Sequence, residues 1–358
     1  MPEQRLARSP TERAGYHESA MQAQLTHYWS EYFVLWVQVF IAIGVCVVFW
    51  TVPRLGERFL RLVECAFSNF AARKTMAIWS IFLTTIGVRV LLLPAIGVPF
   101  PSVHDEFSYL MMGETFAHGR LAYPPHPLWK SLETFHVNFF PTYSSIFPPA
   151  QGFVLAAGQL LGNPWIGVLL SVAVMCATVV WMLQAWMPSR WALLGGVMAF
   201  CNLAVVSYWV NSYWGGAVAA TGGALVLGAL PRMFRTQRVR YSLLLGFGVA
   251  ILANSRPYEG LVFCIPAAGW LLWWLLGRAR ASAKERTTAL RAVLPAAAVV
   301  VATGAFVAYY NWRLTGNALL IPHGLNLRTY YRNPMFLWEH ARAPIHYNNA
   351  QFETFYNG

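Results

Sequence analysis

Long apolar runs alternate along this chain with short polar segments. Eight runs predict helices, at residues 33–52, 75–97, 165–186, 191–207, 216–230, 241–253, 260–277 and 293–310. A helix needs about 20 mostly apolar residues to cross a bilayer. Three of the runs fall short of that, and are expected to extend into their polar flanks. A further apolar stretch, 149–161, is amphipathic and shorter still, which predicts an interfacial or re-entrant helix. Between the first two runs, residues 53–74 set Arg54, Arg58, Arg61, Arg73 and Lys74 against Leu55, Phe59, Leu62, Val63 and Phe67 at helical spacing. That pattern predicts an amphipathic helix on an anionic membrane surface, the alternative being a solvated basic linker.

Composition agrees with the pattern. The 358 residues are 57% hydrophobic and only 11% charged, where a soluble domain carries about a quarter charged residues. The expected fold class is therefore an all-α polytopic membrane protein, with about eight transmembrane helices plus interfacial helices. Its segments are a polar N-terminal tail (1–32), a first span with a basic amphipathic stretch (33–74), a transmembrane core (75–277) containing a long loop (98–148), and a basic loop, last span and terminal segment (278–358). The formal charge of +12 does not imply a nucleic-acid partner, because the basic residues sit in clusters between apolar runs rather than along one face. Cys46, Cys65, Cys176, Cys201 and Cys264 lie in or beside apolar stretches without CxxC spacing, and read as small core residues. The polar first thirty or so residues do not read as a cleavable signal peptide.

The basic clusters at 53–74, 231–240 and 278–291 are expected on the cytoplasmic side. Counting helices from them puts 98–148, 208–215, 254–259 and 311–358 on the outer, periplasmic face of an inner membrane, provided 149–161 does not cross. The same count puts the N-terminal tail outside.

The outer loop gathers the polar chemistry. It holds His104, His118, His126, His136 and four acidic residues, with only Arg120 and Lys130 as strong bases. Asp105 is the only aspartate in the chain, next to Glu106 in a sequence with just fourteen acidic residues against twenty-six basic ones. Asp105 is a candidate for catalysis, for metal binding with Glu106 and His104, or for capping a helix that starts at Glu106 and carries Ser108 and Tyr109 in its first turn. Arg256 stands at a helix break, in Asn254-Ser255-Arg256-Pro257-Tyr258-Glu259. It suits a phosphate through its fork of donors, or else pairs with Glu259 or reaches lipid headgroups. Arg89 lies inside a predicted span, where a charge needs a partner: a lipid phosphate or an acid of the outer loop. Aromatics around Asn211 and Tyr309 also fit an ordinary interfacial belt.

In order along the chain, four motifs resemble those of GT-C type membrane glycosyltransferases, in the protein O-mannosyltransferase and aminoarabinose-transferase branch. They are Asp105-Glu106-Phe107-Ser108-Tyr109 after a span, Pro148-Pro149 opening a short helix, the polar loop from Asn211 to Gly216, and Arg256-Pro257 at a span boundary. The loop motifs His126-Pro127-Leu128-Trp129 and Glu133-Thr134-Phe135-His136 are closest to those of an uncharacterised bacterial subgroup. The resemblance implies transfer of a sugar from a polyprenyl-phosphate donor to a lipid, glycan or protein acceptor on the outer face. It makes Asp105 the general base, supported by Glu106, with Arg256, Arg89, Lys130, Tyr109, Asn211 and Tyr258 as binding residues. A divalent metal at His104 and Glu106 is an option, since metal dependence varies in the family. Phe147 replaces the basic residue usual before the Pro-Pro pair, the first span is additional, and the chain is expected to be C-terminally short. The competing readings are a transporter or flippase of a lipid-linked sugar, and a non-catalytic membrane scaffold subunit.

Overall fold

The structure is a computed structural model that describes residues 36–52, 57–333, 340, 342, 343 and 345–357. The expected N-terminal tail and residues 53–56 of the amphipathic segment lie outside the described residues. Clustering of contacts divides the chain into residues 1–66 and 67–358. The first unit contributes the apolar helix α1 (Trp36–Thr51) and the start of α2 (Glu57–Ala72).

Among its described residues the second unit is mainly helical, with a two-stranded ladder and a bridge between Tyr123 and Tyr143. In order it contains α3 (Lys74–Ile96), α4 (His104–Ala117), strands β1 (Val137–Asn138) and β2 (Ser144–Ser145), α5 (Ala150–Leu160), α6 (Pro164–Leu183), α7 (Ser189–Leu203), α8 (Gly216–Thr236), α9 (Val239–Ala253), α10 (Pro257–Ala281), α11 (Ala283–Thr315), α12 (Pro322–Tyr330) and α13 (Ala350–Asn357). Boundaries follow local chemistry. Asn163 caps α6, its side chain accepting from Trp165 N at 2.9 Å, with Pro164 in the first turn. Pro257 likewise opens α10, and Gly316 ends α11 in a left-handed conformation at φ 77°.

Helix α6 is the central post of this unit. Trp165, Val168, Val172, Met175, Cys176 and Val180 are buried along it, packed among α3, α5, α7 and α8. Two glycines allow α5 to cross α6 in backbone contact. A Cβ at Gly167 would stand 2.1 Å from the Val154 carbonyl oxygen, and one at Gly158 would stand 2.5 Å from the Gly167 nitrogen. A second core joins α8, α9, α10 and α11 around Val226, Leu230, Met233 and Leu245.

Each of the eight predicted runs contains a helix among its described residues, and the protein is a helical membrane protein. Five described helices, α3, α6, α8, α10 and α11, are long and apolar enough to cross a membrane, whereas α1 and α9 are apolar but shorter. The run at 191–207 ends early, at Leu203, where the chain breaks into turns. The run at 216–230 continues instead to Thr236, since Arg232 and Arg235 find carbonyl partners on or just after α6. The short stretch at 149–161 forms the 11-residue α5. At about 1.5 Å per residue this is roughly half the hydrocarbon thickness, and α5 packs between α4 and α6.

Candidate functional site

The predicted site segments meet at one end of the bundle. Ala150 N donates to Asn254 O at 2.9 Å, joining α5 to the break before α10. Gln151 Nε2 donates to Tyr213 O at 2.9 Å, and Thr142 Oγ1 to Leu314 O at 2.7 Å. The long loop, the α7–α8 loop and the last turn of α11 are thereby stitched together at the helix ends.

Asp105 does not cap its helix. The helix begins one residue earlier, at His104, and the capping falls to Glu106, whose Oε2 accepts from Ser102 N at 2.8 Å and Val103 N at 3.3 Å. Asp105 is left free to point at His136, with Oδ1 3.0 Å from Nε2 and its side chain 35% exposed. His136 has φ 61°, a left-handed conformation that costs a non-glycine residue roughly 1–3 kcal/mol. Its carbonyl is held by Ser108 Oγ at 2.6 Å and by Ile146 N at 3.3 Å. Those bonds fix a strained residue in the one place from which its ring meets the only aspartate.

Burial lowers the His136 pKa from the ordinary imidazole value; Asp105 opposes that shift and His104 adds to it. The unfolded chain therefore takes up this proton first, so the histidine's contribution to stability is present above about pH 6.5 and is lost as pH falls through the lowered value. Asp105→Asn removes the attractive charge. His136 is expected to titrate still lower in that variant, which histidine NMR resonances followed against pH will report; an unchanged or raised value would contradict the pairing.

Glu106 is buried, and both its oxygens are committed. Oε1 accepts from Tyr213 N at 2.9 Å, while Oε2 also accepts from Ser102 Oγ at 3.2 Å. Arg89, fully buried on α3, grips the same loop: Nη2 donates to Asn211 Oδ1 at 2.8 Å and the guanidinium lies 5.3 Å from the Trp165 ring centre. Its protein partners are an amide and an aromatic face rather than an acid of the outer loop, and its Nε and Nη1 are buried without a protein partner. Glu106, Arg89 and Asn211 thus form a brace for the α7–α8 loop, with opposite charges on either side of it. His104 and Glu106, two positions apart on one helix, point to different sides, and the His104 ring lies tilted against Phe135 with centroids 4.9 Å apart. Among the described residues no group of three or more His, Cys, Asp or Glu has metal-site spacing.

Beside this brace lies a cavity of about 210 Å³ whose wall includes Tyr109, Phe147, Asn254, Arg256, Tyr258 and His323. Tyr109 and Phe147 stack with centroids 4.2 Å apart, so Phe147 serves as an aromatic wall. The Tyr109 hydroxyl is pushed up to about 12, chiefly by burial, with Arg256 opposing and Asp105 and Glu259 adding. Asn254 Oδ1 is buried without a protein partner. Arg256 lies 3.7 Å from Glu259, a loose pair on an exposed edge, so its fork of donors is not saturated by that contact. Arg256 and Glu259 also line a second, apolar groove of about 380 Å³, between α6, α8 and α10, floored by Ala219, Ala220, Gly223 and Ala224. Lys130 is elsewhere, on the short turn Trp129–Ser131 with its ammonium 5.8 Å from the Trp129 ring centre.

The fold and site define a helical membrane protein with a mainly apolar cavity edged by polar side chains and an apolar interhelical groove, the two sharing Arg256. Comparison with protein-family models, characterised proteins and solved structures finds no match for the chain. Three parts of the site have no sequence signature: His136 as partner of Asp105, His323 in the cavity wall, and the small-residue groove beside Arg256. The alanines and glycines of α8 hint at close helix packing, but only the neighbouring helices turn that stripe into a groove.

Proposed function

We propose that this protein is a glycosyltransferase that moves a sugar from a polyprenyl-phosphate donor to an acceptor on the outer face of the cytoplasmic membrane. The observation that carries the reading is the double position of Arg256, in the wall of both the apolar groove and the cavity, where Asn254, Tyr258 and His323 add polar groups to a mainly apolar lining. An amphiphile with one phosphate between a hydrocarbon tail and a polar headgroup matches that junction. The tail lies in the groove, the phosphate meets Arg256, and the sugar enters the cavity. The basic clusters at the opposite helix ends support the orientation.

In the reaction the acceptor oxygen or nitrogen bonds to the anomeric carbon as the bond from that carbon to the phosphate oxygen breaks. The bonding electrons leave with the phosphate, whose charge Arg256 offsets. Asp105 takes the acceptor's proton, held in place by neutral His136. Glu106, Arg89 and Asn211 hold the loop against which α4 is set. A flippase usually carries its coupling acid near the bilayer midplane, whereas Asp105 belongs to a 14-residue helix at one end of the bundle. That position favours transfer at the surface.

The test is purified protein in lipid nanodiscs, given labelled polyprenyl-phosphate sugars and scored for transfer or hydrolysis. Arg256→Gln is expected to weaken donor binding about tenfold, the value of one charge-assisted contact. Failure of every donor to turn over, together with equal donor binding by wild type and variant, would sink the proposal.

A further inference from the structure

The segment after the last long helix brings a second imidazole to the cavity. His323 is the second residue of α12 and forms part of the cavity wall with Arg256 and Tyr109. Its position is set by a joint between α12 and β1. Asn138 Nδ2 donates to Pro322 O at 2.9 Å, and Asn326 Nδ2 donates to Asn138 Oδ1 at 3.2 Å and to Val137 O at 3.3 Å. All four residues that make the joint, Val137, Asn138, Pro322 and Asn326, are buried. His136 immediately precedes β1 and His323 immediately follows Pro322, so one buried amide joint fixes the spacing of both rings. They are near enough for His136 to disfavour protonation of His323, an effect second to that of burial.

We propose that His323 is a second contact for the donor phosphate, donating a ring N–H to a phosphate oxygen while Arg256 holds the same group from the other segment. This rests on the reading of the cavity as a lipid-phosphate sugar site, and adds to it a residue that lies beyond the four motifs of the resemblance. The chemistry favours it. A half-buried neutral imidazole offers one N–H without adding a second full charge to a wall that already carries Arg256. Several other donors of the wall are already engaged: Asn254 Nδ2 donates to Ala250 O, Ser255 Oγ to Ile251 O and Asn311 Nδ2 to Ala318 O. Tyr109 and Phe147 stack on each other, and the exposed carboxylate of Glu259 repels an anion. Ile321, Pro148 and Pro149 make part of the lining apolar. An anion entering here meets Arg256 and His323 from distant parts of the chain.

The experiment measures binding of polyprenyl phosphate and of the uncharged polyprenol to the full chain in nanodiscs of neutral lipid, by quenching of tryptophan fluorescence. Wild type should prefer the phosphate. His323→Ala should weaken phosphate-lipid binding about tenfold and leave polyprenol binding unchanged. His323→Gln, which keeps an N–H donor, should recover most of the loss. A purely structural role predicts equal loss for both lipids and no rescue by Gln, and that result overturns the proposal. An unchanged preference in His323→Ala, alongside a lost preference in Arg256→Gln, overturns the His323 contact alone. A wild type that shows no preference for the phosphate overturns the contact and the donor reading together. Titration with inorganic phosphate separates the sources. His323-dependent binding of the lipid alone supports a lipid-borne phosphate; His323-dependent binding of both supports the contact but makes free phosphate sufficient.

Discussion

Asp105→Asn is expected to lower sugar transfer about 10²–10⁴-fold, the range for loss of a general base, while the protein stays folded and still binds donor lipid. The amide keeps an oxygen that can accept from His136 Nε2, now 3.0 Å from the carboxylate. What it loses is the capacity to take a proton. The charge lost in the first turn of α4 is worth only about 0.3–1 kcal/mol, so instability does not explain a loss of that size. Single-turnover transfer, measured beside donor binding in the same nanodiscs, separates the two effects. Transfer retained within a few fold of wild type would remove Asp105 from the chemistry. A parallel loss of donor binding would assign it to the site's architecture instead.

The second large effect concerns the fold. Gly167→Val is expected to destabilise the protein by about 1–3 kcal/mol or more, the usual range for overpacking, because the added Cβ would lie 2.1 Å from the Val154 carbonyl oxygen. Backbone cannot rotate away as a side chain can. Separating α5 from α6 would also pull Gln151 from Tyr213 and Ala150 from Asn254, so cavity and brace should loosen together. Gly87→Ala is the control: nothing lies within 4 Å of its added Cβ on α3, and alanine improves helix propensity there. Thermal unfolding in detergent should show a lowered midpoint for the first variant and an equal or higher one for the second. Equal midpoints would mean that the α5–α6 crossing is looser than its geometry indicates.

Much of the helical frame was legible because apolar runs report directly on the medium around them. Each of the eight runs contains a helix, and Arg256-Pro257 marks a start that proline in the first turn explains. Lengths were less legible. The α7 run loses its last turn while α8 gains one, and those outcomes depend on neighbours, such as the α6 carbonyl of Trp181 that takes Arg232 Nη2 at 2.7 Å.

The site divides in the same way. Sequence alone singled out Asp105 and Arg256, since a lone aspartate and an arginine at a helix break are conspicuous in a chain with so few charges. It also grouped Glu106, Arg89 and Asn211 with the site, but as chemical or binding residues. Their committed hydrogen bonds make them a brace, and hydrogen-bond partners far apart in sequence leave no periodic trace. His136 and His323 were visible only as histidines of the loop and of the terminal segment. Their meeting depends on a left-handed residue, a two-residue ladder and a buried pair of asparagines. Local sequence therefore determined a membrane protein and its scarce charged candidates, because burial in lipid constrains every residue of a span. Tertiary structure alone decided which charges face a cavity and which are saturated within the protein, because that follows from contacts between segments rather than from the composition of any one of them.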